Sequence, residues 1–368
     1  IRTATDDGGY RVKTAEETLR DTQPLISPIT GIVTDVQQVF CEGDGLINVV
    51  FAGHGTVRQA GSLGYLRTML GSKSAGKGSG AFQAKVSGIC EAVERYSMQY
   101  SGDEYRIRVT AEDLGDAAVH PNDCMLFSEN QFARREELNA APGMNIPEPF
   151  DPSAAIDWSP VWSFTQGRYR YLPTDCCYYA APRSGYCTAD SNGNAVGNVL
   201  EEAILQGFLE LVERDAIALW WFSRARRPSV DTAKFDDGYF SRVHHYYHSI
   251  GREFHLLDIT TEFGIPVIAA VSMRNNHPRG AFIFGFGAHF DARVAAMRAV
   301  TEMHQYLYLS QRAGLEHDDA GQPSPSPCGY FDPGERYYLL PDASKSAGGK
   351  TLMPEYGHDD LKDTVEAC

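Results

Sequence analysis

The sequence predicts a mixed α/β fold of the α+β kind, assembled from repeated helix and strand units. Short apolar runs alternate with longer stretches of helical pattern, and one helical segment recurs along the chain together with the residues that lead into it. In addition, a chain of 368 residues with 43% hydrophobic content can bury a large core. We therefore expect one large or two ordinary globular domains.

Four strands are predicted from apolar runs bounded by polar or glycine-rich residues. These runs cover residues 45–54, 254–260, 265–273 and 281–290. Helical periodicity predicts four longer helices at about 81–100, 199–223, 237–250 and 291–311. The segment 114–160, rich in Pro, Asn and Asp, is expected to be a surface excursion. Roughly the last fifty residues are expected to be loop-like.

The charge balance excludes some classes of partner. Lys and Arg number 33 against 48 Asp and Glu, which gives a formal net charge of −15. A general electrostatic hold on nucleic acid or on an anionic membrane is therefore not expected. No apolar run approaches the roughly 18 residues of a membrane span, and the first residues do not resemble a signal peptide. We expect a cytoplasmic protein.

The cysteine pattern predicts reduced thiols. Eight cysteines in 368 residues are too sparse for a disulfide scaffold, and none forms a CxxC pair. The adjacent Cys176 and Cys177 lie in YLPTDCCYYAA, which we interpret as a buried strand.

The most informative feature is an internal repeat at an offset of 119 residues. Residues 76–96, GKGSGAFQAKVSGICEAVERY, align without gaps to residues 195–215, AVGNVLEEAILQGFLELVERD, with seven identities in 21 positions. A fainter third copy, AAMRAVTEMHQYL, places Glu302 and Gln305 where the other copies have their two repeated glutamates. The repeat predicts three helices with one shared polar signature.

Carboxylates lie on one face of the second repeated helix, whose other sides are mostly apolar. At about 100° per residue, four polar side chains project together: Glu202, Gln206, Glu210 and Glu213. Two carboxylates about 4 Å apart repel by roughly 4 kcal/mol at an intermediate dielectric constant, so a buried group needs cations or protons. Arg95 and Arg214 supply only two positive charges. Mg²⁺ fits an all-oxygen cluster and usually arrives with a phosphorylated ligand, while an ion-paired network without metal is the alternative.

Glycine-rich segments before both copies favour a nucleotide. SAGKGSG and SNGNAVGN are expected to present backbone N–H groups at helix starts, where phosphate binds readily. The first of these overlaps an apparent P-loop, with Gly71, Gly76 and Lys77 at P-loop spacing. Gly78 stands where that motif needs Ser or Thr, and the preceding residues are a poor buried strand, so we reject a P-loop.

The repeats resemble the YcaO family, and within it the domain of cyanobactin-type peptide heterocyclases. The spacings SxxxExxER and NxxxExxxxxxxExxER carry this resemblance, as do LISPITGIVT, RRPSVD and FGFGAHFDARVAAMRAVTEMHQ. It covers nearly the whole chain and implies a YcaO-type ATP-binding fold. In that family a Cys, Ser or Thr side chain of a ribosomal precursor peptide attacks the preceding backbone carbonyl. ATP then phosphorylates the carbonyl oxygen, and loss of phosphate leaves a thiazoline or oxazoline.

The resemblance also implies site residues. The Mg²⁺ ligands would be Glu91, Glu94, Glu202, Glu210 and Glu213. The ATP-binding positions would be Arg11, Thr18, Lys77, Ser87, Asn198, Arg214, Glu302 and Gln305. No catalytic residue is assigned, because the proline-rich carboxy-terminal tail of the family is not matched. The PSPSP at 323–327 lies well before the end of the chain, and we interpret it as a loop.

The resemblance implies one YcaO cyclodehydratase domain over 1–368, expected to be a fragment of a longer protein. We divide it into an amino-terminal part (1–70), an ATP- and Mg²⁺-binding core (71–311) and an incomplete, loop-rich carboxy-terminal part (312–368). The expected partners are a precursor peptide, a leader-binding domain resembling ubiquitin-activating enzymes, fused or separate, and a second copy in a homodimer. Thioamidation or amidine formation, or a nonenzymatic scaffold that binds nucleotide or leader peptide, are the alternatives.

Overall fold

The computed structural model describes residues 3–4, 9–42, 45–55, 72–141, 143–235, 238–274, 281–312, 337–345 and 361–367. The chain divides into two compact units. The first comprises Ile1–Glu94 and Asn192–Cys368, and the second comprises Arg95–Ser191.

The strands are β1 (Thr3–Ala4), β2 (Tyr10–Arg11), β3 (Val33–Glu42), β4 (Ile47–His54), β5 (Lys73–Gly78), β6 (Ile107–Val109), β7 (Ile156–Ser163), β8 (Arg168–Pro173), β9 (Arg252–Asp258), β10 (Val267–Arg274) and β11 (Ile283–Ala288). The helices are α1 (Ala15–Thr22), α2 (Ala81–Ser97), α3 (Ala111–Leu114), α4 (Pro121–Met125), α5 (Glu129–Ala133), α6 (Arg135–Asn139), α7 (Thr174–Cys177), α8 (Leu200–Ser223), α9 (Gly238–Ser249), α10 (Ala292–Arg312) and α11 (Leu361–Ala367). Short 3₁₀ turns cover Gln23–Leu25, Gly115–Ala117, Thr232–Phe235 and Tyr337–Leu339.

The described part of the first unit contains two three-stranded antiparallel sheets, with the strand orders β3-β4-β5 and β11-β10-β9, and the two-stranded antiparallel sheet β1-β2. The central strand β10 is buried because its two faces pack against different helices. Ile268 and Ala270 join a core cluster with α9 and α10. Ala269 and Val271 join a second cluster, which contains Trp220 of α8. This packing places α8 and α10 on opposite faces of one sheet.

The predicted fold class and the main elements are confirmed. The four predicted strands correspond to β4, β9, β10 and β11, and the four predicted helices correspond to α2, α8, α9 and α10. The expected surface excursion holds three short helices and most of β7. The prediction for the carboxy-terminal fifty residues lies largely outside the described residues, apart from 337–345 and α11. The PSPSP segment also lies outside them.

The glycine-rich segment before α2 is a strand rather than a phosphate-facing loop, so that expectation is wrong for residues 74–78. Val49 and Val50 of β4 pair with Lys77 and Gly76, respectively. A Cβ added to Gly76 would lie 2.1 Å from the carbonyl oxygen of Ala84 in α2. The glycine is therefore needed for close packing of strand on helix.

The second unit is built around the antiparallel sheet β6-β7-β8. Trp158 is fully buried there, and its indole nitrogen donates to the carbonyl oxygen of Val109 at 3.1 Å. The predicted strand through the paired cysteines is wrong, since β8 ends at Pro173 and Thr174–Cys177 form α7. Proline lacks the N–H that would continue a ladder. Burial raises the pKa of Cys177 to about 12, so this thiol stays protonated at neutral pH.

Candidate functional site

The site residues predicted for α2, α8 and α10 all belong to the first unit. Glu302 of α10 is held at both carboxylate oxygens. Its Oε1 lies 3.3 Å from Lys77 Nζ, and its Oε2 accepts from the backbone N–H of Phe286 at 2.6 Å. The ion pair joins the strand before the first repeated helix to the third repeated helix. The first and third repeat copies are thus neighbours in space.

Glu213 of α8 is largely buried, with 14% of its side chain exposed. Burial raises its pKa to about 7, and the negative charge of Glu302 adds to this rise. Arg214 and Lys77 oppose the shift but do not cancel it. A carboxyl group with this pKa is close to half protonated at neutral pH, which marks a shortage of positive charge around it.

Arg214 is engaged by the carboxylates of its own helix. Its Nη2 lies 3.1 Å from Glu210 Oε1, and its Nη1 lies 4.0 Å from Glu213 Oε1. The second oxygen of Glu210 accepts from the backbone N–H of Gly193 at 3.3 Å. This bond folds the segment before α8 back onto the helix, so the lead-in and the carboxylate face are close together.

Glu202, in the first turn of α8, is 1% exposed and has both oxygens bound to backbone N–H groups. Val12 donates to Oε1 at 2.6 Å and Asn198 donates to Oε2 at 2.8 Å. The amide of Asn198 and the hydroxyl of Thr18 are also hydrogen-bonded, at 3.1 Å. Three predicted site residues, Thr18, Asn198 and Glu202, therefore form one connected network.

Arg11 lies on β2, next to this network. Burial lowers the pKa of its guanidinium, while the charge of Glu202 opposes that change. Cys90 of α2 faces the same region, and burial raises the pKa of its thiol to about 11, with Arg11 acting in the opposite direction. Glu202 and Glu94 add to the rise for Cys90. These couplings place α2 beside the first turn of α8.

The remaining predicted residues lie on the same helices. Glu91 and Glu94 are half-buried on α2, one turn apart, and Ser87 is half-buried one turn before them. Gln305 is half-buried on α10, one turn after Glu302. Their assignment to Mg²⁺ and ATP remains a prediction.

Sequence reasoning missed the backbone donors and the thiol of this site. The N–H groups of Val12, Gly193 and Phe286 each bind a glutamate, and Cys90 lies among the charged groups of Arg11 and Glu202. Backbone N–H groups carry no sequence signal, because every residue except proline has one. Cys90 could have been found, since it immediately precedes Glu91 in the first repeat.

The donor set suits Mg²⁺ in its chemistry. In the part of the chain that the structure describes, no three His, Cys, Asp or Glu side chains are grouped closely enough to hold a metal by themselves. Mg²⁺ does not require such a group, because it is commonly bound through one or two carboxylates together with substrate phosphates and water. The charge shortage at Glu213 is one that a divalent cation would relieve.

A family model described as YcaO cyclodehydratase, ATP- and Mg²⁺-binding, matches residues 75–368. Among solved structures, a heterocyclase in complex with substrate and cofactor matches with a TM-score of 0.88 and 42% identity, over 100% of this chain and 50% of that chain. The heterocyclase TruD matches with a TM-score of 0.71 and 38% identity, over 96% of this chain and 44% of that chain.

An uncharacterized protein of Methanothermobacter thermautotrophicus is 29% identical over 236 residues, which are 63% of this chain and 56% of the relative. The chain thus spans about half the length of the proteins it matches. Within the described residues, no helix is both long and apolar enough to cross a membrane.

Proposed function

Because the chain belongs to the YcaO family, we propose that it is the ATP-dependent part of a peptide heterocyclase. It converts Cys residues of a ribosomal precursor peptide into thiazolines, and by the same chemistry Ser or Thr into oxazolines. The similarity to two heterocyclases at 42% and 38% identity supports this reaction over thioamidation or amidine formation.

The observation that carries the proposal is the charge balance around Glu213. Its pKa of about 7 arises from burial and from Glu302, although Arg214 and Lys77 are both nearby. Burying Glu213 beside Glu302 costs electrostatic free energy. A nonenzymatic scaffold would gain nothing from this pair of carboxylates, whereas a site for Mg²⁺ and a nucleotide would use it. We infer that Glu91, Glu94, Glu210 and Glu213 are the carboxylates available to Mg²⁺.

When bound, ATP supplies the phosphoryl group that turns the attacked amide oxygen into a leaving group, and Mg²⁺ offsets the charge on it. The residues of this chain would bind and orient the nucleotide and Mg²⁺. Lys77 and Arg214 provide positive charge beside the glutamates, at 3.3 and 3.1 Å from Glu302 and Glu210. Partial burial strengthens these charges, because less water screens them.

The partners follow from the reaction. The substrate is a precursor peptide with a leader and a core, and the leader is captured by a domain resembling ubiquitin-activating enzymes, fused or separate. A homodimer is the assembly we propose. ATP and reduced thiols are cytoplasmic, and we place the reaction there.

The test is mass spectrometry of a Cys-containing precursor peptide incubated with the full-length protein, its leader-binding domain, ATP and Mg²⁺. Each ring removes one water from the peptide mass and releases one phosphate. A peptide with Cys replaced by Ala should stay unchanged. Glu213→Gln should lower turnover about a hundredfold or more, because it removes a charge at the phosphoryl-transfer site, whereas Asp215→Asn, at an exposed position of α8, should not.

A peptide mass that shows exchange of one oxygen for sulfur would indicate thioamidation instead of cyclodehydration. A peptide that keeps its mass in every combination of partners would contradict enzymatic function and favour the scaffold.

A further inference from the structure

Glu202 differs from the other glutamates of the site in what its oxygens contact. Both accept backbone N–H groups, from Val12 at 2.6 Å and from Asn198 at 2.8 Å. Glu210 instead contacts the side chain of Arg214 at 3.1 Å and one backbone N–H, of Gly193, at 3.3 Å. A side chain can swing away to admit a cation, but a backbone N–H moves only when its segment moves.

The segment that Glu202 binds is a small folded piece, residues 9–22, here termed the amino-terminal strap. Its helix α1 starts with a capping box, in which Thr14 and Glu17 bind each other's backbone N–H. The hydroxyl of Thr18 also binds the carbonyl oxygen of Thr14, at 3.0 Å. The strap therefore has local hydrogen bonds of its own, and contacts with the rest of the unit only have to hold it in position.

Two ties fasten the strap to the start of α8. The first is the Val12 bond to Glu202, and the second is the hydrogen bond between Thr18 and Asn198 at 3.1 Å. The far end of the strap lies against α10 and its lead-in. A Cβ at Gly9 would lie 2.8 Å from His289 Nε2 and 3.3 Å from Arg298 Nη2. The strap thus runs between the starts of the second and third repeated helices.

Arg11 is carried by the strap, immediately before Val12. Its position beside Glu202 depends on where Glu202 holds the neighbouring residue. Arg11 lies outside all three repeat copies, so its position is not set by any repeated helix.

We propose that Glu202 is a positioning residue that latches the amino-terminal strap, and with it Arg11, over the nucleotide site, rather than a Mg²⁺ ligand. Glu202 is 1% exposed and each of its oxygens accepts a backbone hydrogen bond, so a cation would reach these oxygens only if a neighbouring segment moved. The effect on nucleotide binding rests on the proposed function, whereas the latch itself does not.

The test compares three variants of the full chain. Glu202→Gln places an amide N–H₂ opposite one of the two N–H donors, Val12 and Asn198, and so removes one of the two hydrogen bonds that position the side chain. Thr18→Val removes the second tie and leaves every carboxylate intact. Glu213→Gln is the matched control, with the same side-chain substitution on the same helix. Hydrogen exchange is measured on peptides from residues 9–22 and, as an internal reference, on β10. ATP binding is titrated at a series of Mg²⁺ concentrations.

Glu202→Gln and Thr18→Val should each raise exchange in residues 9–22 about tenfold or more without changing β10, because each variant loses hydrogen bonding at the start of α8. Both should weaken ATP binding while the Mg²⁺ concentration for half-maximal binding stays unchanged. Glu213→Gln should leave the strap protected and alter the Mg²⁺ requirement.

The latch is refuted if Glu202→Gln alters the Mg²⁺ requirement as Glu213→Gln does, with strap exchange unchanged. If Glu202→Gln raises exchange in β10 as well, Thr18→Val decides, and unchanged strap exchange in that variant overturns the proposal. Absence of ATP binding by the wild type at every Mg²⁺ concentration would refute the proposed function, while the exchange comparison would still decide on the latch.

Discussion

Single residues of the site have different hydrogen-bond partners and burial although their side chains are the same. Glu202 and Glu213 lie on one helix and one predicted face. Glu202 accepts two backbone N–H groups, whereas Glu213 is buried beside Glu302 and has a pKa of about 7. At Glu213, desolvation and the like charge of Glu302 oppose ionisation. We therefore propose different roles for these two glutamates.

Glu213 should make the protein less stable as pH rises. Its pKa in the folded chain, about 7, exceeds the ordinary value of 4.5, so the folded state retains a proton that the unfolded state releases between these values. Stability from that proton is present below about pH 4.5 and is lost as pH rises through 7. Glu213→Gln should therefore raise Tm without nucleotide by about 2–4 °C at pH 8, and by less at pH 5.

Thermal unfolding at both pH values, with Asp215→Asn as the exposed control on α8, checks this expectation. A lower Tm of Glu213→Gln at pH 8 would show that the carboxylate is stabilised by its neighbours. The same substitution is expected to lower turnover about a hundredfold or more, so stability and function should change in opposite directions.

At the scale of elements, each lead-in strand packs on its helix through glycine. Gly76 of β5 lies on α2, and Gly285 of β11 lies on α10, where a Cβ would be 2.2 Å from the carbonyl oxygen of Ala299. The neighbouring atoms are backbone, which cannot move aside as a flexible side chain can. This approach brings Lys77 on β5 within reach of Glu302 on α10.

Gly76→Ala should therefore destabilise the protein by about 3 kcal/mol, because the methyl group overlaps the backbone of α2. Urea denaturation measures the change. Gly80→Ala is the matched control, since nothing lies within 4 Å of its added Cβ. Equal stability of the two variants would mean that strand and helix separate at little cost, and the packing explanation for the glycine would fail.

At the scale of the whole molecule, the candidate site draws on distant parts of one unit. Its residues extend from Arg11 to Gln305, yet all belong to the unit formed by Ile1–Glu94 and Asn192–Cys368. A ligand bound by segments so far apart in sequence stabilises the unit as a whole, because unfolding must release it.

ATP with Mg²⁺ at about a hundredfold above its Kd should add about 2.7 kcal/mol to the stability of that unit. Chelation of Mg²⁺ should remove most of this gain. Hydrogen exchange with and without the ligand should show added protection in the first unit and unchanged exchange in peptides within residues 98–191. Equal protection in both units would place part of the binding site outside the residues predicted for it.

The sequence alone determined the local structure and the type of chemistry. The helices α2, α8 and α10 were predictable because a helix of 3.6 residues per turn produces a pattern of apolar and polar residues over a short stretch of sequence. The carboxylate face of α8 follows from the same geometry. The repeated ExVER and the resemblance it carries were sufficient to predict the family.

Only the tertiary structure decided which groups meet. Val12 binds Glu202 from 190 residues away, Lys77 lies 3.3 Å from Glu302, and the glycine-rich lead-in of α2 is a strand because it pairs with β4. The raised pKa of Glu213 likewise depends on burial and on a charge from another helix. Hydrogen bonding, desolvation and Coulomb energy depend on distances through space, and no spacing along the chain specifies these distances.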